Sequence, residues 1–260
     1  MKRTIVMIST LWIAGLFIQV CASDTEEPAP VTLGVSTDKT HIVTVTNDEG
    51  WSVSLDEFQL AVKDLEFTTG GETHARKPPA AWLISSAHAH PGHAAGGEVI
   101  GELSKKILFD MNQAPASVGK ASLLPGDYNG MNLHFRNADE ADGLDDDAPI
   151  LGHAAYLSGT ATKDDTSIEF EAFLDIAPKS EMIGGPFTAQ IDSSSSGTIS
   201  LQFFTKDPAE GDTLFDGLAF DELDEDGDQQ VTIADGDIAH NILSKTIQRH
   251  DHYGMTFKQK

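Results

Sequence analysis

The stretch WSVSLDEFQLAVKDLEF, from Trp51 to Phe67, decides how this chain reads. Trp51, Val53 and Leu55 alternate with serines, the period-two pattern of a strand with one face on a core. Phe58, Leu60 and Val62 continue the alternation with a phase shift, and Leu65 and Phe67 shift it again. Phase shifts within a continuing alternation predict β-bulges in one long segment.

Outward from this segment the same grammar repeats. HIVTV at 41–45 is β-branched and is followed by the turn signal NDEG. Further strand candidates are AAWLIS, KILFDM, the alternating Met131, Leu133 and Phe135 after the LPGDYNG turn, HAAYLSGTA, SIEFEAFLDI and TISLQFF. About nine or ten short strands punctuated by Gly, Pro, Asn and Asp predict a mainly β fold, an antiparallel β-sandwich over residues 31–206. LLPGDYNGMNLHF resembles the turn-and-strand pieces of prealbumin-like sandwiches, which implies the same fold class.

The ends of the reading are set by composition. Lys2 and Arg3 precede an apolar run from Thr4 to Val20, the layout of an export signal over residues 1–22. Val20, Cys21 and Ala22 form a small-residue site for cleavage after Ala22, while Ile18 to Cys21 resembles a lipobox with Val20 where a small residue is usual. Both endings stay open: a soluble chain, or a lipoprotein anchored through Cys21. Either way the expected location is extracytoplasmic, in the periplasm, on the outer membrane or secreted. Residues 23–30, SDTEEPAP, suit a flexible tether. Cys21 is the only cysteine, so the remaining chain has no disulfide framework and no thiolate metal site.

The formal net charge is -24, from 41 acidic and 17 basic residues. Such a surface repels phosphate backbones and anionic lipid, which excludes nucleic acid as a partner and favours cations. Beyond the first 20 residues no apolar run reaches the roughly 20 residues that span a bilayer, leaving the Cys21 lipid as the only membrane attachment.

Two constellations could hold metal. Asp224, Asp226 and Asp228 place carboxylates at alternate positions, followed by Gln230, the apolar Val231 and Asp235. A hard Ca²⁺ ion needs six to eight oxygens at about 2.3–2.6 Å, and a tight loop converges them only if alternate side chains turn inward. The run from Asp224 to Asp235 resembles an EF-hand or dockerin-type calcium loop. The resemblance implies carboxylate ligands at positions 1, 3 and 5, a backbone carbonyl from Gln230 at position 7 and an acid, Asp235, at position 12. Gln229 stands where such loops usually place the left-handed glycine, at a cost of about 1 kcal/mol. Thr232 and Asp235 approach a capping box, and Ile238, Ile242, Leu243 and Ile247 recur at helical spacing, so residues 207–260 are expected to form a calcium-loop and helix segment packed on the sandwich. The alternative is an exposed acidic turn that caps a helix.

The second constellation is AHAHPGH, with His88, His90 and His93 within six residues. On an extended chain His88 and His90 share a face about 7 Å apart, and the Pro91-Gly92 turn can return His93 toward them. Nitrogen ligands without thiolate suit Zn²⁺ or Cu²⁺, with a fourth ligand from His153, His134, the His250 and His252 pair, Glu98, Glu102 or water. A solvated histidine-rich loop is the competing reading. The acidic stretch Asp139, Glu140, Asp142, Asp145, Asp146 and Asp147 reads as a solvated insertion or, without distinctive ligand spacing, a cation loop. Enzyme signatures are missing: Glu98 lies too far from His90 for a cupin pattern, and there is no His-Glu-x-x-His helix. Three functions follow: an exported metal-binding protein with a structural Ca²⁺ site, a calcium-stabilised surface interaction or carbohydrate-binding module, and a metal-dependent enzyme.

Overall fold

The structure, a computed structural model, describes residues 28–71, 97–112, 115–177 and 179–260. His88, His90 and His93 therefore lie outside the described residues.

The fold is mainly β, with twelve strands in one mixed sheet. The strands are β1 (Val31–Asp38), β2 (Val45–Thr46), β3 (Ser52–Thr68), β4 (Val99–Asp110), β5 (Ser117–Leu123), β6 (Gly126–Phe135), β7 (Ala155–Lys163), β8 (Thr166–Leu174), β9 (Glu181–Ile191), β10 (Gly197–Phe203), β11 (Gln230–Ile233) and β12 (Tyr253–Gln259). Two helices, α1 (Phe220–Leu223) and α2 (Ile238–Ile247), accompany them.

The long segment is β3, seventeen residues in one strand. Its pairing register slips between Leu55 and Glu57 and between Val62 and Asp64, where the sequence shifts phase, and again between Phe67 and Thr68, where it does not. The bulges keep Phe58, Leu60, Val62, Leu65 and Phe67 fully buried while the strand bends. One edge of β3 pairs with β4. The other pairs first with β7 and then with β6. The exchange occurs at Ala61, whose N–H donates to the Ala154 carbonyl and whose carbonyl accepts from Arg136 N–H. Arg136 is held there by two hydrogen bonds to Asp142, so the acidic insertion is clamped at its root and covers a small apolar group of Ala138, Leu144, Ile150 and Tyr156.

Because β6 returns to β3, eight strands close into a ring in the order β3, β4, β5, β1, β10, β12, β9, β6. Two of its joints are narrow. β4 meets β5 over two residue pairs, and β12 meets β9 at Met255 and Phe187 alone. The first half of β3 carries an open wing, β7, β8 and β11. The sheet is mixed because β1 with β10, β12 with β9 and β11 with β8 run parallel, so the antiparallel expectation holds for the hairpins but not for these sequence-distant pairs. Residues 207–260 supply β11 and β12 to the sheet as well as α2.

HIVTV contributes only Val45, to the two-residue β2, whereas β1, β5, β9, β11 and β12 are strands that the hydropathy alternation did not single out. α2 buries Ala239, His240, Leu243, Ser244 and Ile247. Ile238 lies about 100° round the helix from Ala239 and is 80% exposed, so it does not belong to the buried stripe.

A buried polar group closes the end of β12. His252 is fully buried, stacks on Phe203 and donates from Nδ1 to the Phe204 carbonyl at 2.7 Å. Burial, reinforced by Arg249, pushes its imidazole below the ordinary value, against the Phe204 carbonyl, Asp207 and Asp251. The unfolded chain thus takes up the proton first, below about pH 6.5, and stability falls as pH drops. Denaturant melts should show lower stability at pH 5.5 than at pH 7.5 on account of this group, and His252→Gln should remove that part of the slope.

Candidate metal centre

The span 224–230 is fixed at both ends by buried apolar residues. Before it, Phe220 of α1 is fully buried, with ring centroids 5.7 Å from Trp51 and 5.3 Å from Phe170. After it, Val231 and Ile233 point into the core while β11 pairs with β8 from Gln230↔Glu169 to Ile233↔Ala172. The seven residues of the span must reverse tightly, and they do so through two left-handed positions, Gly227 (φ 73°) and Gln229 (φ 67°). Gln229 adopts that conformation with a side chain, the strained position anticipated for it.

The reversal converges the carboxylates. Asp224, Asp226 and Asp228 each offer one oxygen within 4.8 Å of the others. Backbone N–H groups fix them: Gln229 donates to Asp224 Oδ2 at 3.1 Å, Asp228 to Asp226 Oδ1 at 3.3 Å, and Gln230 to Asp228 Oδ1 at 2.9 Å. Asp224 Oδ1 is sealed from water and has no hydrogen-bond partner. A buried carboxylate oxygen without a partner is costly, and two further negative charges beside it add repulsion. A hard cation would relieve both. Gln229 turns its carbonyl to Glu169 N–H at 2.9 Å, so strand alternation sends the Gln230 carbonyl to the opposite, free edge.

Asp235 does not join the three carboxylates. It sits exposed in a turn with Gly236 (φ 101°), which delays α2 until Ile238. The capping-box reading of Thr232 and Asp235 is likewise corrected: Thr232 lies within β11, and the N-cap position is Asp237. Asp237 turns its carboxylate back to the Ala234 N–H at 2.8 Å instead of capping the helix.

The other candidates are engaged elsewhere. His153 Nδ1 lies 3.1 Å from Asp175 Oδ1, and its ring packs on Phe173. His134 bridges strands, with Nε2 3.2 Å from Glu66 and Nδ1 3.3 Å from Glu181 on its two sides. His250 and His252 are buried in a 3-10 turn. Among the described residues, Asp224, Asp226 and Asp228 are the one group of three or more such side chains placed to share an ion. Sequence reasoning missed His240, buried in α2, whose Nε2 accepts from Asp175 N–H at 3.0 Å and ties the helix to the end of β8. No motif marks it.

No family model, curated protein or solved structure matches this chain.

Proposed function

We propose that this chain is an exported metal-binding protein in which Asp224, Asp226 and Asp228, with the Gln230 carbonyl, hold one structural Ca²⁺ ion at the edge of the sheet. The observation that carries the reading is the buried, unpartnered Asp224 Oδ1 within a group of three converging carboxylates. Asp235, outside the group of three, would act through water. The ion would offset the repulsion among the three acids and hold β11 and α2 in place. With so few protein oxygens, affinity belongs near the 10⁻⁴–10⁻³ M range of extracellular modules. Calcium at a hundredfold excess over Kd should stabilise the native state by about 2.7 kcal/mol, raising Tm by roughly 5–10 °C for a chain of this size. Asp226→Ala, an exposed residue, should abolish the rise. A melting temperature that stays put on titrating calcium to about 100 mM, a hundredfold above the weaker end of that range, would overturn the reading.

A second site is proposed for His88, His90 and His93, as ligands of one Zn²⁺ or Cu²⁺. The supporting observation is the neck of the insertion that carries them. Thr69 N–H donates to the Glu98 carbonyl at 3.0 Å, and Asn129 Nδ2 to the Thr69 carbonyl at 2.8 Å. β3 and β4 are thus adjacent antiparallel strands that a three-residue turn of Gly70, Gly71 and Gly97 could join, so residues 72–96 are not needed as a connection. Joining Gly71 to Gly97 should leave Tm and the calcium response unchanged and remove Zn²⁺ and Cu²⁺ binding measured by calorimetry. Retention of micromolar transition-metal binding after the deletion would place that site elsewhere.

A further inference from the structure

We propose that the free edge of β11 is a docking groove for an extended segment of a partner protein in which basic and apolar residues alternate. β11 ends the wing and pairs, among the described residues, with β8 alone. Residues 229, 231 and 233 face β8 by alternation, so the N–H and carbonyl of Thr232 face outward with no partner. A cleft of about 590 Å³ runs along this edge between α1 and the start of α2. Its walls carry Glu222, Leu223, Glu225, Asp226, Asp237 and Ile238, and among the described residues no lysine or arginine lines it.

Ile238 is the second observation. At 80% exposure it is the most exposed large apolar side chain among the described residues, well beyond Val43 at 50%. An apolar side chain beside a bare strand edge is a contact surface. A strand laid against β11 would project alternate side chains to opposite faces of the sheet. On one face they would meet Leu223 and Ile238. On the other they would lie over Gln230 and Thr232, whose neighbours on β8 are the exposed Glu169 and Glu171. Basic side chains belong there. A second copy of this chain would bring the same carboxylates to the contact, and like charges set directly opposite repel, so the occupant is a basic partner and not a symmetric dimer. The groove needs no ion to exist and does not rest on the calcium reading.

The test is calorimetric titration of the full chain with acetyl-(Lys-Val)₄-amide and with the block peptide acetyl-Lys₄Val₄-amide. Both are run at physiological salt, once with chelator and once with millimolar calcium, so that failure in both buffers is a failure of the groove and not of the calcium site. The alternating peptide should bind, and the block peptide should bind about tenfold more weakly because it cannot set apolar and basic faces in register. Thr232→Pro removes the outward N–H at a position where an edge strand tolerates proline, and should weaken binding about fivefold, the equivalent of one backbone hydrogen bond. Ile238→Ser, at an exposed position, should weaken it without changing Tm, and tests the groove even if the proline variant folds poorly. Equal binding of the two peptides, unchanged binding to Ile238→Ser, or no binding in either buffer would overturn the proposal.

Discussion

Asn47→Ala should lower stability by about 4 kcal/mol, the largest effect expected of any single polar residue here. Asn47 is buried in the turn between β2 and β3 and uses its whole amide. Its Oδ1 accepts from Trp51 N–H at 2.8 Å, and its Nδ2 donates to the Phe215 and Leu218 carbonyls at 3.0 and 2.8 Å. Those carbonyls belong to the segment that leads into α1, so one side chain staples it to the hairpin. Alanine leaves the Trp51 N–H and the Leu218 carbonyl buried without partners, at about 1–3 kcal/mol each, while the Phe215 carbonyl keeps only the Leu218 N–H at 3.2 Å. The melting temperature should fall by roughly 8–16 °C. Asn47→Asp should be no better, because it keeps the acceptor but sets a charge against two carbonyl oxygens. A fall of under about 3 °C for alanine would mean that the segment is held elsewhere.

Arg249→Met should cost about 3 kcal/mol and should also flatten a pH dependence. Arg249 Nη2 lies 2.9 Å from Asp251 Oδ2, and the Asp251 side chain is 2% exposed. Burial alone would raise this carboxyl, but His250 and Arg249 outweigh it and hold it well below the usual carboxylate range. A depressed folded pKa gives stability that is present above about pH 4 and lost as pH falls through the folded value. Without Arg249 only the His250 contact opposes burial, and the carboxyl should move up toward its ordinary value. The contribution then shrinks, and the rise of stability between about pH 2 and 5 should flatten. Urea titrations across that range check it. A parallel downward shift of the curve, with no change of slope, would show that Asp251 is not held by Arg249.

The sequence revealed what is local. The phase shifts between Leu55 and Phe58 and between Val62 and Leu65 announced bulges because strand alternation is a nearest-neighbour property. Gln229 could be assigned its left-handed turn, and Leu243 and Ile247 their helix, for the same reason. What depends on remote pairing was hidden. Thr232 reads as a cap until β8 is known to lie beside it, since four residues of either type fit the same letters. Ile238 joins the apolar stripe on paper, but where α2 starts is set by the turn at Gly236, and that start puts Ile238 outside. The three parallel pairings join strands far apart in the chain, and no hairpin signal precedes them. Of the candidate metal residues among those described, only the alternating aspartates are local enough for their convergence to be foreseen.

The place of β12 in the ring bears on how the chain is made. β12 fills the gap between β10, which it flanks for its whole length, and β9. Translation runs from the other end, so β9 and β10 leave the ribosome and wait while residues 204–259 are added. At about 5–20 residues per second that wait is several seconds. Through that interval the half-built ring offers two open strand edges to any neighbouring nascent chain, the usual route to aggregation. Its negative charge acts first there: with 41 acidic residues against 17 basic ones spread along the polypeptide, two unfinished copies repel each other before their edges can meet.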